Sequence, residues 1–141
     1  MDKIKLTTCK LDLDKLNDVI CIATFGSYNE SCFNKDRSDI DIMILCTKQL
    51  DWDSELEIED YLIPILKNHF HHENIHLTFI NDFVYPFGEI LISSNDKIII
   101  FEEKYLDYIL AYSCFLRDRE YLEIIRNQNL NYEKEYKDGL L

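Results

Sequence analysis

Residues 25–45 read FGSYNESCFNKDRSDIDIMIL, and this stretch decides the fold. The run that leads into it, Val19–Phe25, is apolar and rich in β-branched residues, which predicts a buried strand ending at Gly26 and Ser27. Isoleucine recurs at every second position of residues 39–45, which predicts a second strand. Successive side chains of a strand point to opposite faces, so both aspartates lie on one face and the isoleucines on the other. The two predicted strands therefore carry polar side chains where they meet the connecting segment.

The rest of the chain predicts helices that alternate with strands. A short helix is expected over residues 11–17 and an amphipathic helix over residues 53–70, where Pro64 predicts a kink or a break near Tyr61. Alternation of this kind indicates an α/β (α+β) domain with a small mixed β-sheet flanked by helices, one of them long and C-terminal. Further strands are predicted over Ile75–Ile80 and residues 97–101, and further helices over residues 86–93 and from about 105 to 126.

The length and composition predict one domain. The chain has 141 residues, 47% of them apolar, with two prolines, three glycines and no low-complexity segment that would mark a linker. We therefore expect a single domain over residues 1–141, with a highly charged tail after about residue 131 that frays.

The cysteines and the N-terminus predict a cytoplasmic protein. The five cysteines are odd in number, widely spaced and without a C-x-x-C pair, which is typical of reduced thiols rather than a zinc site. The first residues, MDKIKLTTCK, contain no apolar segment of a secretory leader, and the longest apolar runs are too short to span a membrane. We expect a soluble cytoplasmic protein with no membrane association.

The net charge of −12 argues against binding to DNA or RNA. An acidic surface repels the nucleic-acid backbone, and the sequence contains no local basic patch that would release counterions. A nucleotide substrate remains compatible with this charge because a divalent metal offsets the charge of its phosphates. We therefore expect a basic protein partner and no direct nucleic-acid binding.

The residues at the two strand ends suit nucleotidyl transfer. This reaction needs clustered carboxylates for metal ions, for which Asp39 and Asp41 are candidates. It also needs backbone donors and a hydroxyl for phosphate oxygens, which Gly26 and Ser27 could supply. The alternative is that Gly-Ser is an ordinary turn and that the two aspartates are solvated residues on an exposed strand face. That alternative leaves the repulsion between the neighbouring carboxylates unrelieved.

Two basic residues lie just before the aspartates. Lys35 and Arg37 are candidates for binding a triphosphate, since the reaction needs positive charge near the phosphates. A solvated loop explains them equally well.

The 25–45 stretch resembles the glycine-serine and paired-aspartate signature of the DNA polymerase beta-like nucleotidyltransferases. The short chain is similar to the minimal nucleotidyltransferases, antitoxins encoded beside HEPN-domain toxins in type VII toxin–antitoxin pairs. The order of strand, short helix and strand over residues 77–101 also follows that family. The resemblance implies transfer of AMP from ATP to a tyrosine hydroxyl of a HEPN toxin, which silences its ribonuclease activity in a hetero-oligomer. It implies Mg²⁺ at Asp39 and Asp41 and the triphosphate at Gly26 and Ser27.

The sequence departs from the family pattern in three ways. Eleven residues separate Ser27 from Asp39, where the family usually has ten, and this connection lacks the family's glycine and small residues. The best match for the third carboxylate is His76, while Asp82 lies beyond the predicted strand and is a weaker candidate. Mg²⁺ prefers oxygen ligands, so a histidine is a poor replacement as a ligand. His76 could instead act as the base for the attacking hydroxyl, because imidazole exchanges protons near neutral pH.

Three functions therefore remain open. The first is an active adenylyltransferase antitoxin. The second is a catalytically inactive nucleotidyltransferase fold that neutralises the toxin by contact alone, its acidic surface meeting a basic ribonuclease. The third is an enzyme that nucleotidylates a small molecule, although so short a chain leaves little room for a separate substrate domain.

We interpret the other three histidines as solvated residues at the end of a helix. His69, His71 and His72 lie at the end of the predicted amphipathic helix, where cationic histidine suits the helix dipole. His69 and His72 are spaced to share a helix face, but no cysteine or third helical ligand accompanies them as a metal site would require.

Overall fold

The computed structural model describes residues 4–30, 33–34, 37–82 and 87–139, with side chains described up to residue 128. The chain forms two compact units, Met1–Leu106 and Asp107–Leu141. The first unit contains the whole β-sheet and all of the residues discussed as a candidate site.

Four strands form one mixed sheet in the order β3-β2-β1-β4. Strand β1 pairs antiparallel with β2 and with β4, whereas β2 and β3 are parallel. The predicted mixed sheet and α/β class are thus confirmed, and the bounds of β1 and β3 are those predicted. The strands are β1 Val19–Phe25, β2 Ile40–Cys46, β3 Ile75–Ile80 and β4 Lys97–Ile99.

The core lies between the sheet and helix α1, Trp52–Phe70. Six of the seven residues of β1 are buried, as its unbroken apolar run predicts for a central strand. Each fully buried aliphatic side chain contributes about 1.5–3 kcal/mol of hydrophobic stabilisation. The helix residues in this core recur every four positions: Ile58, Leu62, Leu66 and Phe70.

Helix α1 continues through Pro64, so of the kink or break predicted near Tyr61, the break is wrong. Proline removes one backbone hydrogen bond and crowds the preceding turn, at a cost of about 3 kcal/mol. Leu62 and Leu66 are fully buried on either side of it, while Pro64 itself is exposed. Burial of both flanking turns against the core offsets the local cost and keeps the helix in one piece.

The remaining helices differ from prediction mainly at their ends. Helix α2 spans Phe87–Ser93, and its predicted first residue, Pro86, lies outside the described residues. Helix α3 spans Glu102–Gly139 and is longer than predicted, because Gly139 is the first glycine or proline after Gly88. The predicted helix over residues 11–17 is only a 3-10 turn, Leu13–Lys15. Among the described residues, no helix has the length and apolar character that crossing a membrane requires.

Candidate functional site

The sheet brings the sequence-predicted residues to one edge. Phe25, at the end of β1, pairs with Asp41, and Asp41 pairs in parallel with His76 of β3. Gly26 follows Phe25 directly, so the predicted turn, an aspartate and the predicted histidine lie on three neighbouring strands. We call this group the site edge: Gly26, Ser27, Asp39, Asp41 and His76.

Gly26 allows the chain to turn against the carboxylate of Asp41. Its φ of +72° is left-handed, a conformation that costs other residues roughly 1–2 kcal/mol. A Cβ atom at this position would lie 2.9 Å from Oδ2 of Asp41, closer than carbon and oxygen normally approach. Gly26 and Ser27 open a 3-10 turn, Gly26–Asn29. The conformation therefore favours glycine here, and a larger residue would also have to displace the carboxylate of Asp41.

The two aspartates interact electrostatically. Asp41 is on the second residue of β2 with its side chain 29% exposed, whereas Asp39 is exposed and lies one residue before the strand. Burial raises the pKa of Asp41, the nearby His76 lowers it, and the charge of Asp39 raises it again. A cation bound beside both carboxylates would offset the repulsion that Asp39 exerts on the charge of Asp41.

His76 lies beside Asp41. Its Nδ1 atom is 3.6 Å from Oδ1 of Asp41, and its side chain is 65% exposed. An imidazole that solvent and substrate can reach thus lies at the position where the family pattern predicts a third carboxylate. Asp82 lies past the other end of β3, six residues from His76, which corresponds to roughly 20 Å along a strand. Asp82 is too far away to complete the site.

A pair of reciprocal hydrogen bonds closes the Gly26–Asn29 turn. The amide Nδ2 of Asn29 donates to the carbonyl oxygen of Thr24 at 2.7 Å, and Oγ1 of Thr24 donates to Oδ1 of Asn29 at 2.8 Å. Ser94 Oγ donates to the same carbonyl oxygen of Thr24 at 2.8 Å. These bonds fix both ends of the turn that carries Gly26 and Ser27.

Asp96 ties this turn to the N-terminal segment. Its buried carboxylate accepts hydrogen bonds from the backbone N–H groups of Leu6 at 2.7 Å and Thr7 at 3.0 Å. Its carbonyl oxygen accepts from the N–H of Thr24 at 3.0 Å. We call Thr24, Asn29, Ser94 and Asp96 the turn network. The sequence gives no signal for it, because the Ser94–Asp96 segment has the composition of any surface turn.

Of the two basic candidates, only Arg37 lies among the described residues. It is exposed, and its backbone N–H donates to the carbonyl oxygen of Asn34 at 3.1 Å. Lys35 lies outside the described residues. A role for either in triphosphate binding stays a prediction.

The histidines at the end of α1 are less alike than the sequence suggests. His71 is exposed with a left-handed φ of 51° and caps the helix, and His69 is half-buried on its last turn. His72 is only 8% exposed and lies beyond the helix, so its assignment to a solvated helix end is wrong. The left-handed residue turns the chain back toward the sheet and carries the next side chain into the interior.

The donor set at the site edge fits a magnesium ion shared with phosphates. Among the described residues, no three His, Cys, Asp or Glu side chains are placed to hold a metal by themselves. Mg²⁺ is commonly held by one or two carboxylates together with substrate phosphates and water. Asp39 and Asp41 would supply the carboxylates, and a nucleotide held at Gly26 would supply the phosphate oxygens.

A cleft of about 1000 Å³ opens beside Gly26. It lies between the N-terminal segment, the Gly26–Asn29 turn and the segment that follows α2. Its volume is at the upper end of the range for small-molecule sites. Residues that line it include Lys5, Phe25, Asn29, Glu30, Ser93 and Asn95.

A family model described as Polymerase beta, Nucleotidyltransferase matches residues 8–104. The match covers more than half of the chain and contains all four strands and the whole site edge. The chain therefore belongs to the polymerase beta nucleotidyltransferase family. No curated protein matches the chain.

Proposed function

We propose that this protein is a minimal nucleotidyltransferase antitoxin that transfers AMP from ATP to a tyrosine hydroxyl of a HEPN ribonuclease toxin. The contact between Gly26 and the carboxylate of Asp41 carries the proposal. It brings a turn that can bind phosphate next to a carboxylate that can bind a metal ion. Nucleotidyl transfer needs the two together, because the metal ion and the backbone donors must contact the same phosphate group.

The residues of the site edge have distinct roles in this reaction. The tyrosine oxygen attacks the α-phosphorus of ATP, an O–P bond forms, the bond to the bridging oxygen breaks, and pyrophosphate leaves with that electron pair. His76 accepts the phenolic proton, since its ring is accessible and lies 3.6 Å from Asp41. Mg²⁺, when bound, neutralises phosphate charge and polarises the α-phosphoryl group. Gly26 and Ser27 hold the triphosphate, and the adjacent cleft accommodates the nucleoside.

The charge of the chain supports a basic protein partner. A net charge of −12 attracts a ribonuclease whose RNA-binding surface is positive, and it raises the rate at which the two proteins meet. The proposed complex is a cytoplasmic hetero-oligomer of this chain and its toxin.

Intact-mass spectrometry of the toxin tests the transfer. The cognate HEPN toxin is incubated with this protein, ATP and Mg²⁺, and we expect a mass increase of one AMP. Asp39→Asn combined with Asp41→Asn should abolish the increase, since it removes both carboxylates of the metal site. Asp82→Asn is the matched control, because this exposed aspartate lies at the opposite edge of the sheet. Transfer retained by the double variant would overturn the site assignment.

One observation favours a second candidate function. His76 occupies the position expected for a third carboxylate, and a histidine is a weak ligand for Mg²⁺. A fold that has lost catalysis would still bind a basic toxin through its acidic surface. In that case the toxin mass would stay unchanged, while a stable complex forms and ribonuclease activity is inhibited.

A further inference from the structure

Asp39 is the most exposed member of the proposed metal site, and it lies outside the sheet. The ladder of β2 begins only at Ile40, so strand pairing does not include Asp39. Its carboxylate can share a cation with Asp41 only if the peptide groups on both sides of Asp39 are held in place.

Hydrogen bonds on both sides hold that backbone. On one side, the carbonyl oxygen of Ser38 lies 2.8 Å from Nε2 of His72. On the other side, the N–H of Ile40 donates to the carbonyl oxygen of Asn74 at 2.9 Å. Both partners come from the turn between α1 and β3, so this turn clamps the peptide groups that flank Asp39.

The His72 side of this clamp depends on one side chain. A carbonyl oxygen only accepts hydrogen bonds, so Nε2 of His72 must carry the proton in this contact. The imidazole is buried, and its ring packs against Phe33 at 5.7 Å between centroids. The backbone N–H of His72 also donates to the carbonyl oxygen of Lys67 at 3.2 Å, which anchors the residue to the end of α1. A buried donor fixed in this way holds its acceptor in one position.

We propose that His72 is a positioning residue: its Nε2–H bond to the Ser38 carbonyl sets Asp39 so that its carboxylate and that of Asp41 hold one divalent cation. The inference rests on the proposed metal site but not on the identity of the toxin. Replacing a residue that orients a metal ligand through a hydrogen bond typically lowers metal affinity by about 10- to 100-fold.

Mn²⁺ binding measured by electron paramagnetic resonance tests the proposal without turnover. Mn²⁺ is titrated into the protein with an ATP analogue whose α,β-bridging oxygen is replaced by methylene, and the signal of the protein-free Mn²⁺–analogue mixture is subtracted. His72→Phe keeps a ring against Phe33 but removes the donor, and it should weaken Mn²⁺ binding at least tenfold. His72→Gln places an amide N–H near the position of Nε2 and should recover most of the affinity. His71→Asn is the control, since His71 is exposed and asparagine tolerates the left-handed conformation.

The outcomes separate this inference from the proposed function. If the wild-type protein does not bind Mn²⁺ with the analogue, both are overturned. If the wild-type binds and His72→Phe binds equally well, the inference alone fails. Equal weakening by His72→Phe and His72→Gln would also overturn it, because the N–H donor would then not matter.

A second variant and a second measurement guard against misfolding. His72→Asn is polar but too short to reach the Ser38 carbonyl, and it should weaken Mn²⁺ binding as His72→Phe does. In the transfer reaction, the Mg²⁺ concentration for half-maximal rate should rise about tenfold in both variants, while the KM for ATP at saturating Mg²⁺ stays unchanged. A role confined to folding would not produce that separation, so an equal rise in both constants contradicts the proposal.

Discussion

The two halves of the site edge are built differently. The Gly26–Asn29 turn is closed by side-chain hydrogen bonds, and Thr24, at its base, is fully buried. The aspartate half is open: Asp39 is exposed, and the side chain of His76 is 65% exposed. The half proposed to bind phosphate is therefore rigid before substrate arrives, whereas the half proposed to bind metal keeps its charges hydrated in the absence of a cation.

This difference suits what each half is proposed to bind. Backbone donors stabilise a phosphate only if they already point at it, so flexibility in the turn would lower affinity. Carboxylates without a cation repel each other, and exposure to water reduces that cost. The pKa of Asp41 is raised mainly by burial and lowered by His76, and the charge of Asp39, the smallest of the three causes, raises it again.

The largest effect in this comparison is expected at the open half. His76→Ala should lower kcat for AMP transfer by about 10²- to 10⁴-fold, because it removes the proposed base. The KM for ATP should change little, since the turn proposed to bind phosphate is untouched. The rate is measured by the mass shift of the toxin at saturating ATP, with His71→Asn as the histidine control at an exposed position.

His76→Asp sharpens that test. It restores a carboxylate beside Asp41 and removes the imidazole. If His76 is the base, this variant should also be slow. A rate above that of the wild-type protein would instead mean that the position serves as a metal ligand and that histidine fills it poorly.

The junction of the two halves should show the next largest effect. Gly26→Ala forces a Cβ atom to within 2.9 Å of Oδ2 of Asp41 and displaces that carboxylate. A displacement of about 1 Å in a reacting geometry can cost on the order of 10²-fold in rate, and we expect a loss of that size in kcat. The free energy of unfolding should fall by at least the roughly 1–2 kcal/mol cost of a left-handed alanine.

A double-mutant cycle identifies the cause of that loss. In the background of Asp41→Ala, the atom that the new Cβ meets is gone, so Gly26→Ala should then cost only the left-handed penalty. Denaturant unfolding of the four proteins gives the coupling free energy. An equal cost in both backgrounds would mean that the contact with Asp41 contributes nothing.

The sequence alone predicts the site edge better than it predicts what holds the edge in place. The bounds of Val19–Phe25 and Ile75–Ile80 are predicted correctly. The first is an unbroken, buried apolar run, and the second is rich in β-branched and aromatic residues and lies between turn residues, although only Ile80 in it is buried. The pairing of Thr24 with Asp96 could not be predicted, since seventy-two positions separate them and their types suit any surface turn. The burial of His72 was missed for a similar reason, because a left-handed residue redirects the chain and leaves no periodic signal.

The smallest effect is expected at the rigid half. Asn29→Ala removes both hydrogen bonds to Thr24 and loosens the end of the turn. Asn29 is exposed, so water replaces part of the lost hydrogen bonding. The free energy that holds the turn in its conformation should therefore fall by about 1 kcal/mol. ATP binding must then restore the conformation of the turn, and a free energy of about 1 kcal/mol corresponds to about a fivefold rise in the KM for ATP. The kcat should be nearly unchanged, because Asp41 and His76 keep their positions.

The matched control for Asn29 is Asn81→Ala, which removes an exposed asparagine at the opposite edge of the sheet. Asn29→Asp sets a direction as well as a size. The aspartate keeps an acceptor for Oγ1 of Thr24, but its second oxygen cannot donate to the carbonyl oxygen of Thr24 as the amide does. It also adds negative charge beside the proposed site of the triphosphate. It should therefore raise the KM for ATP more than alanine does. If aspartate and alanine act equally, the turn does not face the phosphates, and the rigid half of the site would have to be reassigned.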